Sequence, residues 1–317
     1  MSVEERRSFA CFGGRVTVQV GGAGAGAAAK AAEVQLLDAH RRLSRFLPES
    51  DLSRLNEDPR GAVKVSPVLL ELAAAVRRAG LLSGGLVDAT LLDEIERAGY
   101  VGSRADGEPR VDAPPRPGGQ SPRPAAPNPA RGWSLVSVDR RAGTIRRPPG
   151  LKIDSGGIAK GLLADLLAKE LRAYPSYSVD CCGDIRVGGA GGQPRTVHID
   201  DPAGGAPLHS FAVRSGGVAT SGIGKRSWVG SDGSPAHHLL DPATGRPAFT
   251  GVVQATALAP TAVEAEWRAK AAVLSGPECA ADWLEHGGVV VLDDRTHFVI
   301  EPTNLRGETT RHEQARI

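Results

Sequence analysis

The chain has 317 residues, 41% of them hydrophobic, with a formal charge of +2 and an aromatic content of 4%. That is apolar sequence enough for a real core, while the near-neutral charge and scarce aromatics exclude a nucleic-acid surface built on charge or base stacking. No run approaches the ~20 apolar residues that a membrane helix needs. The four cysteines, Cys11, Cys181, Cys182 and Cys279, form no CxxC and no zinc spacing. Reduced, mostly buried thiols in a cytoplasmic protein are therefore expected. The opening Met-Ser-Val-Glu-Glu-Arg-Arg agrees, because it enters a strand pattern rather than the apolar stretch of a secretory leader.

In chain order, Arg15 to Val20 reads as a strand, and a glycine run then leads to a helical pattern from about Ala27 to Arg45. The run contains Gly22-x-Gly24-x-Gly26, which misses the dinucleotide fingerprint GxGxxG by one position and lacks the second strand with its acid. Ser66-Pro67 suits an N-cap and first helical turn, and Leu69, Leu70, Ala73, Val76 and Leu81 give that helix an apolar stripe. A second short helix follows Thr90. Residues 103–132 are crowded with Pro, Gly, Arg and Ser, without a hydrophobic period, and read as a flexible loop, so that deleting about Asp106 to Pro127 is expected to leave the core folded.

Leu151 to Ile153 read as a strand ending in Asp154-Ser-Gly-Gly-Ile-Ala-Lys160-Gly161, after which Ile158, Leu162, Leu163, Leu166 and Leu167 recur at helical spacing. Alternating segments at Ser176–Val179, Thr196–Ile199, Phe211–Val213, Val252–Leu258 and Val289–Leu292 predict strands, and helices follow Pro260 and Pro277. The tail after Glu301 is polar and predicted to fray. The expected fold is mixed α/β of the α+β kind. It is one domain over residues 1–317, with large, partly antiparallel sheets flanked by helices.

The turn at Asp154–Gly161 carries the first chemical signal. Backbone N–H groups at a helix N-terminus favour anions, and Lys160 adds a point charge. It is a phosphate-handling pattern but no Walker loop, since Gly161 stands where Ser or Thr would follow the lysine. Alone, such a turn is more often a plain strand-to-helix connection than a ligand site.

Its company sharpens it. Upstream stand Leu43-Ser44-Arg45-Phe46 and Ser83-Gly-Gly-Leu-Val-Asp88-Ala-Thr90. Downstream come Cys182-Gly183-Asp184, Val218-Ala-Thr-Ser221-Gly222, His238-Leu-Leu-Asp241-Pro-Ala-Thr244-Gly245 and Ala265-Glu266-Trp-Arg-Ala-Lys270. In order and spacing this series resembles the ApbE-like FAD:protein FMN transferase family, over about residues 40 to 290. The resemblance implies an enzyme that cleaves FAD at its pyrophosphate, passes the FMN half to a threonine hydroxyl of an acceptor flavoprotein and releases AMP.

The resemblance also implies roles. His238 matches the position of the base that takes the hydroxyl proton, against the plainer reading that it packs at a strand end. His237 lies outside the motif and is expected to be dispensable. Asp154 and Lys160 match FAD contacts, as does Leu86-Val87-Asp88, with Asp88 as an acceptor. Leu43 and Leu240 match apolar pocket walls, although any of these apolar residues would serve a core equally well. Relatives hold Mg²⁺ with Asp and Thr side chains and a glycine-turn carbonyl. Here Glu266 stands for the Asp, Gly157 would give the carbonyl, and Lys270, an ammonium without a lone pair, replaces the Thr.

Glu266 and Lys270 are i and i+4 on a helix, so they are expected to share the site rather than form a surface pair, with Mg²⁺ held weakly. Cys182-Gly183 replaces paired glycines, and since Cys is small the turn is expected to survive if φ at Cys182 is negative. Three functions stay open at this point: FMN transfer, FAD binding without transfer, and FAD hydrolysis at the pyrophosphate. No motif names the acceptor or an oligomeric state.

Overall fold

The computed structural model describes residues 4–102, 121–230 and 233–302. Its frame is an eight-stranded sheet whose strands lie side by side in chain order: Glu4–Cys11, Gly14–Gly21, Ser176–Cys181, Asp184–Gly188, Gly216–Gly222, Val252–Ala259, Gly288–Leu292 and His297–Ile300. Every neighbouring pair is antiparallel, so the sheet is wholly rather than partly so. No parallel βαβ unit forms around the glycine run. Gly24, at φ 76°, instead turns the chain into a helix.

The described residues form six α-helices, α1 (Ala25–Leu43), α2 (Asp51–Glu57), α3 (Pro67–Leu82), α4 (Leu92–Arg97), α5 (Ala159–Leu171) and α6 (Ala262–Ser275), of which α1, α5 and α6 make the main contacts with the sheet. On α1 the buried positions are Ala25, Ala29, Ala32, Leu36, Ala39 and Leu43, a three-to-four-residue spacing that lays one stripe on the core. Val16, Val18 and Val20 alternate into the same core from the sheet. Helix α6 differs in being buried almost all round, because α5 lies on one side and the strands Gly216–Gly222 and Val252–Ala259 on another. Its start is capped twice. Thr261 Oγ1 accepts from Glu264 N, and the Asp165 carboxylate accepts from Ala262 N and Val263 N at 2.9 Å each.

Several expectations need correction. Leu151–Ile153 is not a strand: the Asn56 side chain takes both polar groups of the Ile153 backbone, and that leaves none for a ladder. Pro277 is followed only by a short 3₁₀ turn, Ala280–Trp283. Leu69, Leu70, Ala73 and Val76 are buried on α3 as expected, but Leu81 is 62% exposed, and Leu72, Ala79 and Gly80 complete the stripe. Pro67 does open α3, but the Ser66 side chain makes no cap bond. Of the Pro-rich stretch, residues 103–120 lie outside the described residues. Residues 121–127 are pinned: Arg123 N donates to Phe249 O, Ala125 N to Leu274 O and Ala126 N to Asp241 Oδ1. The tail from residue 303 also lies outside the described residues. Among those described, no helix is long and apolar enough to cross a membrane.

Candidate functional site

One cavity gathers the end of α1, the segment Leu86–Leu91, the glycine turn before α5, Arg226, the segment His238–Leu240, and the inner side of α6. Leu43, Leu86, Val87, Asp88, Asp154, Gly157, Lys160, His238, Leu240 and Lys270 all line it. Of the residues the sequence points to, only Glu266 is off the wall, fully buried behind it.

At the turn, Asp154 Oδ1 accepts from Gly156 N at 3.1 Å, which folds the loop back so that α5 begins beside the cavity. Lys160, in the first turn of α5, is paired with Asp184, which is itself buried. Burial alone would lower the lysine's pKa; Asp184 and then Glu266 outweigh it and hold it above the ordinary value. Asp184 follows the hairpin loop Cys182-Gly183. Both loop residues have positive φ, 58° at Cys182 and 95° at Gly183, so the turn forms without the negative φ at Cys182 on which its survival was expected to depend. The antiparallel twist of the flanking strands demands this mirror-type turn, and a non-glycine residue is carried there at a cost of about 1 kcal/mol.

Gly161 brings α5 and α6 together. A Cβ there would lie 2.5 Å from the Ala262 carbonyl oxygen, so the helix starts could not approach as they do. The approach lets Glu266 Oε2 accept the Gly161 N–H at 2.9 Å, while Oε1 accepts from Lys270 Nζ at 3.2 Å. Burial raises the Glu266 pKa to about 7, against the opposing pull of the Lys270 ammonium. Lys270 is 8% exposed, and its Cε passes 3.7 Å from where a Gly157 side chain would begin. The pair is thus internal and no surface pair. The donor set does not fit a divalent cation: both carboxylate oxygens are engaged, and an ammonium stands between the carboxylate and the turn.

Opposite stands His238, half-buried, with Nδ1 enclosed and without a hydrogen-bond partner among the described residues. Burial first, then Arg226, His237 and Lys270, hold its pKa well below the ordinary value, so the ring is neutral. Asp88 Oδ1 accepts from Thr90 N and Thr90 Oγ1, while Oδ2 is enclosed and without a hydrogen-bond partner among the described residues. Burial raises its pKa against the Thr90 bonds.

Sequence reading missed the wall that faces them. The Arg45 guanidinium lies 4.2 Å from the Phe46 ring centroid and 4.8 Å from that of Tyr100, and Tyr100 stacks on Trp228. Arg45 Nε also reaches Asp154 Oδ1 at 3.4 Å, and that fixes the carboxylate's orientation. Arg226 was missed as well; it donates to Phe12 O and makes no ion pair among the described residues. The Leu43-Ser44-Arg45-Phe46 motif contained the signal for the first, but nothing in the sequence marks Arg226.

Comparison with known proteins gives a consistent result. A family model described as the ApbE family matches residues 12–292. The FAD:protein FMN transferase of Salmonella typhimurium is 29% identical over 262 residues, 78% of this chain and 71% of that protein. That of Escherichia coli strain K12 is 25% identical over 266 residues, 82% of this chain and 72% of that one. An ApbE protein from Thermotoga maritima superposes with a TM-score of 0.73 at 24% identity, covering 93% of this chain and 96% of its own. The flavin transferase ApbE from Vibrio cholerae gives 0.71 at 21%, with coverages of 94% and 97%.

Proposed function

The chain belongs to the ApbE family, and from that premise we propose that it is an FAD:protein FMN transferase. It moves the FMN moiety of FAD onto a threonine hydroxyl of an acceptor flavoprotein and releases AMP. The observation that carries the reading is the convergence on one cavity of a glycine turn at a helix start, the cations Lys160, Arg226 and Lys270, and a neutral histidine. The reading takes residues 1–317 as one unit, supported by the first and last described strands lying in the same sheet. Its cytoplasmic setting is supported by Cys11 and Cys181, buried thiols without a disulfide.

The chemistry asks for a held flavin, a neutralised pyrophosphate and a proton acceptor. The apolar wall of Leu43, Leu86, Val87 and Leu240 suits the flavin ring, with Asp88 and Asp154 as acceptors for its polar groups. The turn's N–H groups and the three cations suit the phosphates. The acceptor hydroxyl oxygen attacks the FMN-side phosphorus and a new P–O bond forms. The bond from that phosphorus to the bridging oxygen breaks, and its electron pair leaves with AMP. The hydroxyl proton passes to His238. Its ring is neutral beforehand, and entry of the pyrophosphate offsets Arg226 and Lys270, which raises its basicity when the proton must be taken.

The test is to incubate the protein with FAD and an acceptor flavoprotein, and to follow flavin fluorescence on the denatured acceptor together with AMP release. Bound fluorescence matched by AMP supports transfer. AMP with only free FMN would instead make the protein a pyrophosphatase.

A further inference from the structure

We infer that Lys270 is the phosphate-binding cation of this site and takes the place of a divalent metal, so that FAD is held metal-free. The inference rests on the transferase reading, because it takes the FAD diphosphate as the ligand.

Three observations carry it. First, the ammonium has one hydrogen-bond partner among the described residues, Glu266 Oε1 at 3.2 Å, which leaves N–H groups for an incoming anion. Second, Lys270 lines the cavity beside Gly157, so those N–H groups face the backbone turn where an anion meets the start of α5. Third, Lys270 screens Glu266 from a metal: Oε1 accepts from the ammonium and Oε2 from Gly161 N, and the carboxylate lies buried off the cavity wall that Lys270 lines. The Glu266 side chain therefore holds the lysine in place, as Asp184 holds Lys160 on the neighbouring helix. Two carboxylates behind two ammonium groups make a preorganised cationic floor. A dication placed among them would sit in contact with like charge and find no free oxygen donor on α6.

The experiment is FAD binding, read as quenching of flavin fluorescence, in EDTA and in millimolar Mg²⁺. The wild-type protein is expected to bind equally in both, within about twofold, and Lys270→Thr to lose at least about tenfold in EDTA and recover in Mg²⁺, since it frees Glu266 and adds an oxygen. Lys270→Thr leaves a buried carboxylate unpaired and risks unfolding. The Glu266→Gln, Lys270→Met double variant avoids that charge, and is expected to melt as a folded protein yet bind FAD weakly with or without Mg²⁺. Wild-type binding that needs Mg²⁺, or a double variant that binds FAD like the wild type, overturns the inference and leaves the transferase reading standing. A wild type that binds no FAD under either condition overturns both.

Discussion

Glu266 accepts the backbone N–H of Gly161 at 2.9 Å, and this one bond joins the first turn of α5 to the second turn of α6 directly behind the cavity. It ties the glycine turn, which faces the ligand, to the helix that carries Lys270. Anything that parts the two helices moves both the turn and the lysine.

Gly161→Ala is the smallest such change. The added Cβ would meet the Ala262 carbonyl and the Val263 Cα below 3 Å, and backbone cannot swing aside. The variant is expected to lose about 1–3 kcal/mol of stability in urea unfolding and to bind FAD more weakly. An unchanged midpoint would show that the helix contact is looser than described.

His238→Ala is expected to lower transfer by about 10²–10⁴-fold while FAD affinity stays within about twofold, because the imidazole meets the acceptor proton and not the flavin. A retained rate removes His238 from the mechanism, and a lost affinity makes it a binding residue.

His237 is fully buried against the edge of Phe249, and burial lowers its pKa to about 3. It is therefore structural, and His237→Ala is not the mild change its place outside the motif suggests. The unfolded chain takes a proton near pH 6.5 while the folded one does not. This histidine's share of stability is therefore complete above that pH and is lost as pH falls toward 3. The loss is about 1.4 kcal/mol for each pH unit in that window. His237→Phe is expected to flatten the fall of urea-unfolding stability between pH 6.5 and 5; an unaltered slope would assign it to other groups.

Deleting residues 121–127 removes the bonds from Arg123, Ala125 and Ala126 to Phe249, Leu274 and Asp241. At about 1 kcal/mol per bond, the melting temperature is expected to drop by several degrees. No change would restore the flexible-loop reading for this part of the chain.

The contrast between these residues explains what the sequence could reveal. Helices α1, α3 and α5 were legible because their apolar residues recur at helical spacing, and the site was legible because its motifs keep fixed spacings along the chain. Residues 121–127 of the Pro-rich segment were misread because their order comes from backbone hydrogen bonds to distant residues, which leave no side-chain pattern. Leu151–Ile153 was misread for the same reason: Asn56, remote in sequence, takes its backbone groups. Cys182 shows a third limit. The hairpin's twist imposes a positive φ that residue preference alone argues against. Arg45 and Arg226 reach the cavity only through the tertiary fold.

Intact-mass measurement of an acceptor flavoprotein separates covalent transfer from binding and from hydrolysis. After incubation with the protein and FAD, the acceptor is expected to gain one esterified FMN, and to gain nothing when its target threonine is replaced by alanine. An acceptor of unchanged mass, with FAD intact or split to free FMN and AMP, would contradict the account.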